Sequence, residues 1–237
     1  MPYLVQSDRP WYYLGKTHEY LSCHERATQG VLDSLAVRHH GDGGTRHEKF
    51  TRDLALLEEA LAEDPDDVRT LFYLAQTRQN LGDHVGALAA YRRRMDLGGW
   101  DEEIYWSLYQ CGVILDARGD WTYAQQAYLA AWEYRPSRAE SLYKLSAGAR
   151  QRGHWRTAVL IANQASIIAE PADRLFVESW VYRWGIDFEL SISLWWVGEF
   201  ERGLALTERL LARTDLPEHV RRSTEANVGV YEQALGR

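Results

Sequence analysis

After Thr45 the chain repeats one arrangement of small, apolar and polar positions. Gly82, Gly119, Gly153 and Gly198 each close a helical stretch, and five positions after each stands a small residue: Ala87, Ala124, Ala158 and Gly203. A glycine permits the tight turn, and a small side chain lets the next helix come close to the previous one, so the spacing predicts antiparallel helix pairs. Eight and seven positions before the same glycines stand Leu74-Ala75, Cys111-Gly112, Leu145-Ser146 and Leu190-Ser191. The following helices carry Tyr91, Tyr128, Ala162 and Thr207 at matching places, and Pro136 and Pro171 punctuate the ends of units.

The period lies close to the 34 residues of one helical repeat class. Over about residues 66–213 the set of positions resembles the tetratricopeptide repeat family. The resemblance implies an all-α fold, a tetratricopeptide-type right-handed superhelix of antiparallel helix pairs, here with a short N-terminal β-leaning segment. Pairs are expected near 66–97, 103–136, 137–171 and 175–213, closed by a capping helix at 217–235 that covers the open apolar end. The fourth turn glycine follows the third by 45 residues, which places an insertion, an extra turn or a lengthened helix within 170–184. Thr45 with Glu48, and Ser137 with Glu140, fit the capping box that satisfies the free amides of a first helical turn.

In the tetratricopeptide family the first helix of each pair lines a concave surface, and the fifth motif position faces that groove. This chain has Phe72, Tyr109, Tyr143 and Phe188 there, with Arg69, Trp106, Arg150, Trp195 and Trp196 nearby. The resemblance therefore implies a groove suited to stacking on peptide side chains or sugar rings, with a protein, a peptide or a glycan acceptor as partner. The competing reading is that some of these rings pack between neighbouring repeats, because aromatic stripes at helical spacing are usually core. Lysines and asparagines that would clamp a C-terminal carboxylate are absent from the matching positions.

Charge narrows the partners further. With 27 basic and 34 acidic residues the formal charge is -7, so no global positive field attracts nucleic acid. Arg92, Arg93 and Arg94 form the tightest basic run, but on a helix they point in three directions. Cys23 and Cys111 are too few for a disulfide framework and suit a reducing, cytoplasmic setting. Neither a signal peptide nor an apolar run long enough for a membrane span is legible.

The first 44 residues lie outside the repeat. Short β-leaning runs at 3–6, 11–14 and 36–39 are followed by a Gly-Asp-Gly-Gly loop at 41–44. The region gathers His18, His24, His39, His40 and His47, without a spacing specific for metal. The strings Arg9-Pro10-Trp11, His18-Glu19-Tyr20-Leu21, His39-His40-Gly41-Asp42-Gly43-Gly44 and Arg52-Asp53 resemble the end of the catalytic domain in bacterial family-two nucleotide-sugar glycosyltransferases that carry tetratricopeptide repeats. The likeness continues through Phe72-Tyr73-Leu74-Ala75-Gln76, Trp100-Asp101-Glu102-Glu103 and Arg135-Pro136-Ser137-Arg138-Ala139-Glu140.

That resemblance implies His39 or His40 as a late ligand for a divalent ion, and His18 and Glu19 as residues near the acceptor. The chain departs from the family in its nucleotide-binding half, since 44 residues cannot hold the several βαβ units such a sheet needs. Residues 1–44 are thus expected to be a remnant of a catalytic domain or an appended segment, and 45–237 the repeat domain. No cofactor is expected in this chain alone; manganese or magnesium would belong to a full catalytic domain. The expected role is the C-terminal portion of a transferase that presents its groove to an acceptor or partner, and the alternative is a free-standing adaptor.

Overall fold

The structure is a computed structural model that describes residues 4–5, 7–17, 19–25, 28, 30, 32, 34–35 and 46–237. Its chain forms two compact units, Met1–Gly98 and Gly99–Arg237.

In the first unit, β1 (Trp11–Leu14) and β2 (Tyr20–Cys23) pair antiparallel, with Trp11 opposite Cys23 and Leu14 opposite Tyr20. The first strand is where the sequence pattern predicts one; the second carries no alternation and was not legible. Residues 4 and 5 are not in a strand, and 36–39 lie outside the described residues. Three helices follow: α1 (Arg46–Glu63), α2 (Val68–Asn80) and α3 (His84–Asp96). Asp67 caps α2 by accepting from the Arg69 amide at 3.1 Å, and Asp83 caps α3 through the Gly86 amide at 2.9 Å. Each bond satisfies a backbone donor that the first helical turn leaves free. The hairpin is tied to α1 by Lys16, whose Nζ donates to Glu59 at 2.9 Å and Glu63 at 2.7 Å.

The second unit holds α4 (Asp101–Ala117), α5 (Trp121–Tyr134), α6 (Glu140–Gln151), α7 (Trp155–Ser166), α8 (Ile186–Trp196), α9 (Phe200–Leu211) and α10 (Glu218–Leu235). Successive helices pack as hairpins: α2 with α3, α4 with α5, α6 with α7, and α8 with α9. Gly82, Gly119, Gly153 and Gly198 sit at these turns with φ of 80°, 83°, 76° and 82°, the left-handed region that a side chain resists. Ala87, Ala124 and Ala158 are fully buried in the second helices, as their spacing from the glycines predicts.

Close approach explains two other small residues. A Cβ on Gly112 would lie 2.5 Å from the Tyr128 ring, and one on Gly203 would lie 2.2 Å from the Tyr231 ring. The aromatic of one helix therefore fills the notch left by glycine on its neighbour. Among the described residues no helix is long and apolar enough to cross a membrane.

The predicted irregularity in the fourth copy takes a definite form. A segment that is neither helix nor strand, residues 169–178, precedes a π-helical turn at Val181–Gly185 that leads into α8. The Ser137–Glu140 capping box, by contrast, is absent. The first residue of α6 is Glu140 itself, and its carboxylate is committed elsewhere, to a guanidinium that is fully buried beside it. The Thr45 half of the other predicted box lies outside the described residues.

Candidate interaction site

Two of the first helices in the second unit, α4 and α6, share a face over which residues 169–178 run as a strap. From Ala172 to Val177 the strap alternates exposed and half-buried residues, and it bends at Arg174 and Leu175. Asp173, Leu175 and Val177 face inward, while Arg174 and Phe176 are exposed. Phe176 has φ 47°, a left-handed conformation that costs a non-glycine residue about 1–3 kcal/mol and persists only when its surroundings impose it.

Charged groups supply most of those surroundings. Glu102 on α4 accepts from the backbone amides of Arg174 and Leu175 at 2.8 and 2.7 Å. Asp173 takes two bonds from Arg135, at 2.7 and 2.5 Å, and one from Arg138 Nη1 at 3.2 Å. Arg138 also donates to the carbonyls of Leu175 and Phe176 at 3.2 and 3.1 Å. Its other partner is Glu140, at 2.7–3.0 Å, and both side chains have 0% exposure. The Arg138 guanidinium rests over the Tyr105 ring at 4.5 Å. Burial alone would depress the Arg138 pKa, but the bonds and charge of Glu140 reverse this and hold it above the ordinary value.

Phenols complete the set. Tyr105 and Tyr182 donate to Glu140 Oε2 at 3.2 and 2.6 Å, and Tyr109 donates to Glu178 Oε2 at 2.7 Å. Burial first, and the neighbouring carboxylates second, push all three phenols above their usual pKa, which keeps them protonated as donors. The Glu178 amide donates to Glu140 Oε1 at 3.2 Å. The strap is therefore read chiefly through its amides, its carbonyls and two carboxylates.

The sequence-predicted groove residues fall into this picture unevenly. Trp106 packs its ring on Phe176 at 4.9 Å and on Tyr109 at 5.2 Å. Phe72 and Tyr109 are each 1% exposed, which corrects the expectation of solvent-facing rings: they are core, closed over in their own units. Tyr143 is half-buried and meets Trp180 edge to face at 5.0 Å; Phe188 is half-buried among Trp184, Leu210, Leu216 and Val220. Arg150 is bound by Glu189 at 2.6 and 3.1 Å. Trp196 stacks on Trp155 at 4.5 Å, and Trp195 meets Tyr231 at 5.5 Å.

In the first unit, Arg69 lies over the Tyr20 ring of the hairpin at 4.4 Å and donates to the Tyr73 hydroxyl at 3.0 Å. Glu19 is exposed beside the hairpin. His18, His39 and His40, which the transferase resemblance marks for acceptor and metal, lie outside the described residues. Among the described residues no group of three His, Cys, Asp or Glu side chains is placed to hold a metal ion.

No family model and no curated protein matches the chain. Solved structures do. YrrB, a TPR protein with an unusual peptide-binding site, matches with a TM-score of 0.57 at 14% identity, over 76% of this chain and 84% of that one. The MamA protein matches at 0.55 and 17%, over 72% and 88%, and BtubC from P. vanneervenii at 0.58 and 18%, over 81% and 85%. The fold is that of tetratricopeptide repeat proteins. At these identities the likeness is one of backbone architecture, and the turn glycines that carry the tetratricopeptide signal in the sequence stand at the helix turns of this chain.

The acids in the strap set its response to pH in opposite senses. The hydrogen bonds from Arg135, and secondarily from Arg138, hold the Asp173 carboxyl below its usual 3.8, against burial. Its contribution is complete above that value and is lost as pH falls through the lowered one. Burial pushes Glu178 above its usual 4.5, opposed by the Tyr109 hydroxyl and Lys144, with Glu140 adding to the rise and Arg138 resisting it. Its contribution is complete below 4.5 and is lost as pH rises through the raised value. Protection of the Arg174 and Leu175 amides, corrected for intrinsic exchange, is expected to peak in mild acid and decline on both sides. Glu178→Gln should abolish the decline on the alkaline side; protection that climbs steadily to pH 8 in the native chain would refute this assignment.

Proposed function

We propose that this chain is a protein-interaction scaffold, an adaptor whose working surface in the second unit is the α4–α6 face beneath the strap. The observation that carries the reading is the chemistry of that face. Glu102, Arg138 and Glu140 engage backbone amides and carbonyls of a segment outside any helix or strand, which is how a protein surface holds a peptide without regard to most of its side chains. The tetratricopeptide fold supports it, as does the peptide-binding site of the structurally similar YrrB.

A photo-crosslinking amino acid placed at Trp106 tests this in the native host. Protein adducts are expected there, and not at Tyr123 on α5, which is 63% exposed on a second helix. Adducts confined to Tyr123 would move the working surface elsewhere.

The residue strings of the first 53 positions favour a finer reading, in which the scaffold serves a glycosyltransferase and guides its acceptor. Under it, this chain alone neither binds nor turns over a nucleotide sugar. Calorimetry with UDP- and GDP-sugars and manganese checks that expectation, and tight metal-dependent binding would overturn it.

A further inference from the structure

The strap is longer than its connecting task requires. Residues 135–139 suffice to join α5 to α6, and 212–217 to join α9 to α10, whereas 167–180 span from α7 to the π-helical turn. The extra length lies on the face proposed above to hold peptides, and the contacts it makes there are those of a bound peptide. We propose that the strap occupies the site in cis, and that the partner is an acidic peptide of the same chemistry, which binds when the strap leaves. This rests on the scaffold reading and names its ligand and its regulation.

The chemistry of the partner can be read from the occupant. Asp173 sets a carboxylate between Arg135 and Arg138; three residues on, Phe176 sets an aromatic ring on Trp106; two further on, Glu178 sets a second carboxylate on the Tyr109 hydroxyl. Between them, backbone groups meet Glu102 and Arg138. A peptide with a carboxylate three positions before an aromatic, and another two positions after it, would carry the same groups at the same spacing.

Two features make the strap displaceable. Its ion-paired side chain on this face is Asp173, and the cost of bringing that carboxylate and its arginines out of water offsets part of what their pairing returns. The left-handed Phe176 adds a local cost that a partner with glycine or asparagine beside its aromatic can avoid at a neighbouring position. Against a competitor, the strap has the advantage of being tethered, which fixes it at high effective concentration. Loosening it therefore frees the site for a competitor.

The test uses a fluorescent synthetic peptide with the sequence of residues 170–178 and the full chain in two forms, native and with 170–178 replaced by a glycine-serine segment of equal length. Fluorescence anisotropy is expected to show at least tenfold tighter binding to the replaced form, and at least tenfold loss when the peptide's aspartate becomes asparagine. Equal affinity for the two forms, with circular dichroism showing both folded, overturns the proposal. Should the replacement prevent folding, Asp173→Ala in the native chain provides the same comparison, because it weakens the strap and leaves Arg135 and Arg138 in place. Crosslinking from Trp106 separates this inference from the scaffold reading. Adducts equal in native and loosened chains reject occupancy in cis while the scaffold stands, and no adducts from either reject both.

Discussion

Arg138→Ala is expected to lower stability by about 3–5 kcal/mol, the usual result of deleting one member of a buried ion pair. The guanidinium is fully buried and answers five acceptor groups: both oxygens of Glu140, one of Asp173, and the carbonyls of Leu175 and Phe176. Alanine leaves Glu140 buried without its cation and two carbonyls without their donor. In a body of this size about 1 kcal/mol moves the melting temperature by roughly 2–4 °C, so a fall of roughly 6–20 °C is expected in a circular dichroism melt. Much of the loss comes from the stranded carboxylate, so the double change Arg138→Met with Glu140→Leu should recover part of it. A single variant that melts within a degree or two of the native chain would show that the pair is peripheral.

Tyr109→Ala follows closely in size, with about 3–5 kcal/mol lost for emptying an aromatic site in a core. The ring lies between Tyr105, Trp106 and Tyr128 at centroid distances of 6.3, 5.2 and 6.1 Å, and its hydroxyl carries the bond to Glu178. Tyr109→Phe separates these roles. It keeps the packing and removes the donor, so it should cost about 1–3 kcal/mol and release the strap's end in preference to the helices. Urea titration reads the first variant, and exchange at the strap amides reads the second. If alanine left the melt unchanged, the ring would be the solvent-facing binder that its motif position suggests.

The two residues show where sequence reasoning succeeds and where it stops. The helix pairs were legible because a turn glycine, a small residue five positions on and a small-apolar pair before it are local demands of backbone geometry, which any one repeat must meet by itself. Gly112 and Gly203 obey that logic down to the ring each one admits. The motif position of Tyr109 was also legible, but its exposure was not. Part of what closes over it is Glu178, 69 residues further on, and no local pattern announces so distant a contact.

Arg135, Arg138, Asp173 and Glu178 were likewise missed as site residues. One signal was available: the 45-residue spacing marked an insertion, and the insertion carries acids that match a cluster of arginines one repeat earlier. The Ser137–Glu140 pair misled because Ser-x-x-Glu is a cap only when the glutamate is free, and here Arg138, two positions before it, captures the carboxylate. In the first unit, Tyr20 could not be assigned to the Arg69 side chain because it comes from outside the repeat register.

The π-helical turn at Val181–Gly185 has a consequence for phase. Such a turn holds one residue more than the α-helix around it, and each residue of an α-helix advances the side chains by about 100°. Tyr182, which donates to Glu140, and Trp180, which abuts Tyr143, owe their headings to that surplus residue. Excising a single residue there would let α8 run on as a regular spiral while swinging both rings off their partners, so the turn works as the vernier that aligns the strap with the helices that follow.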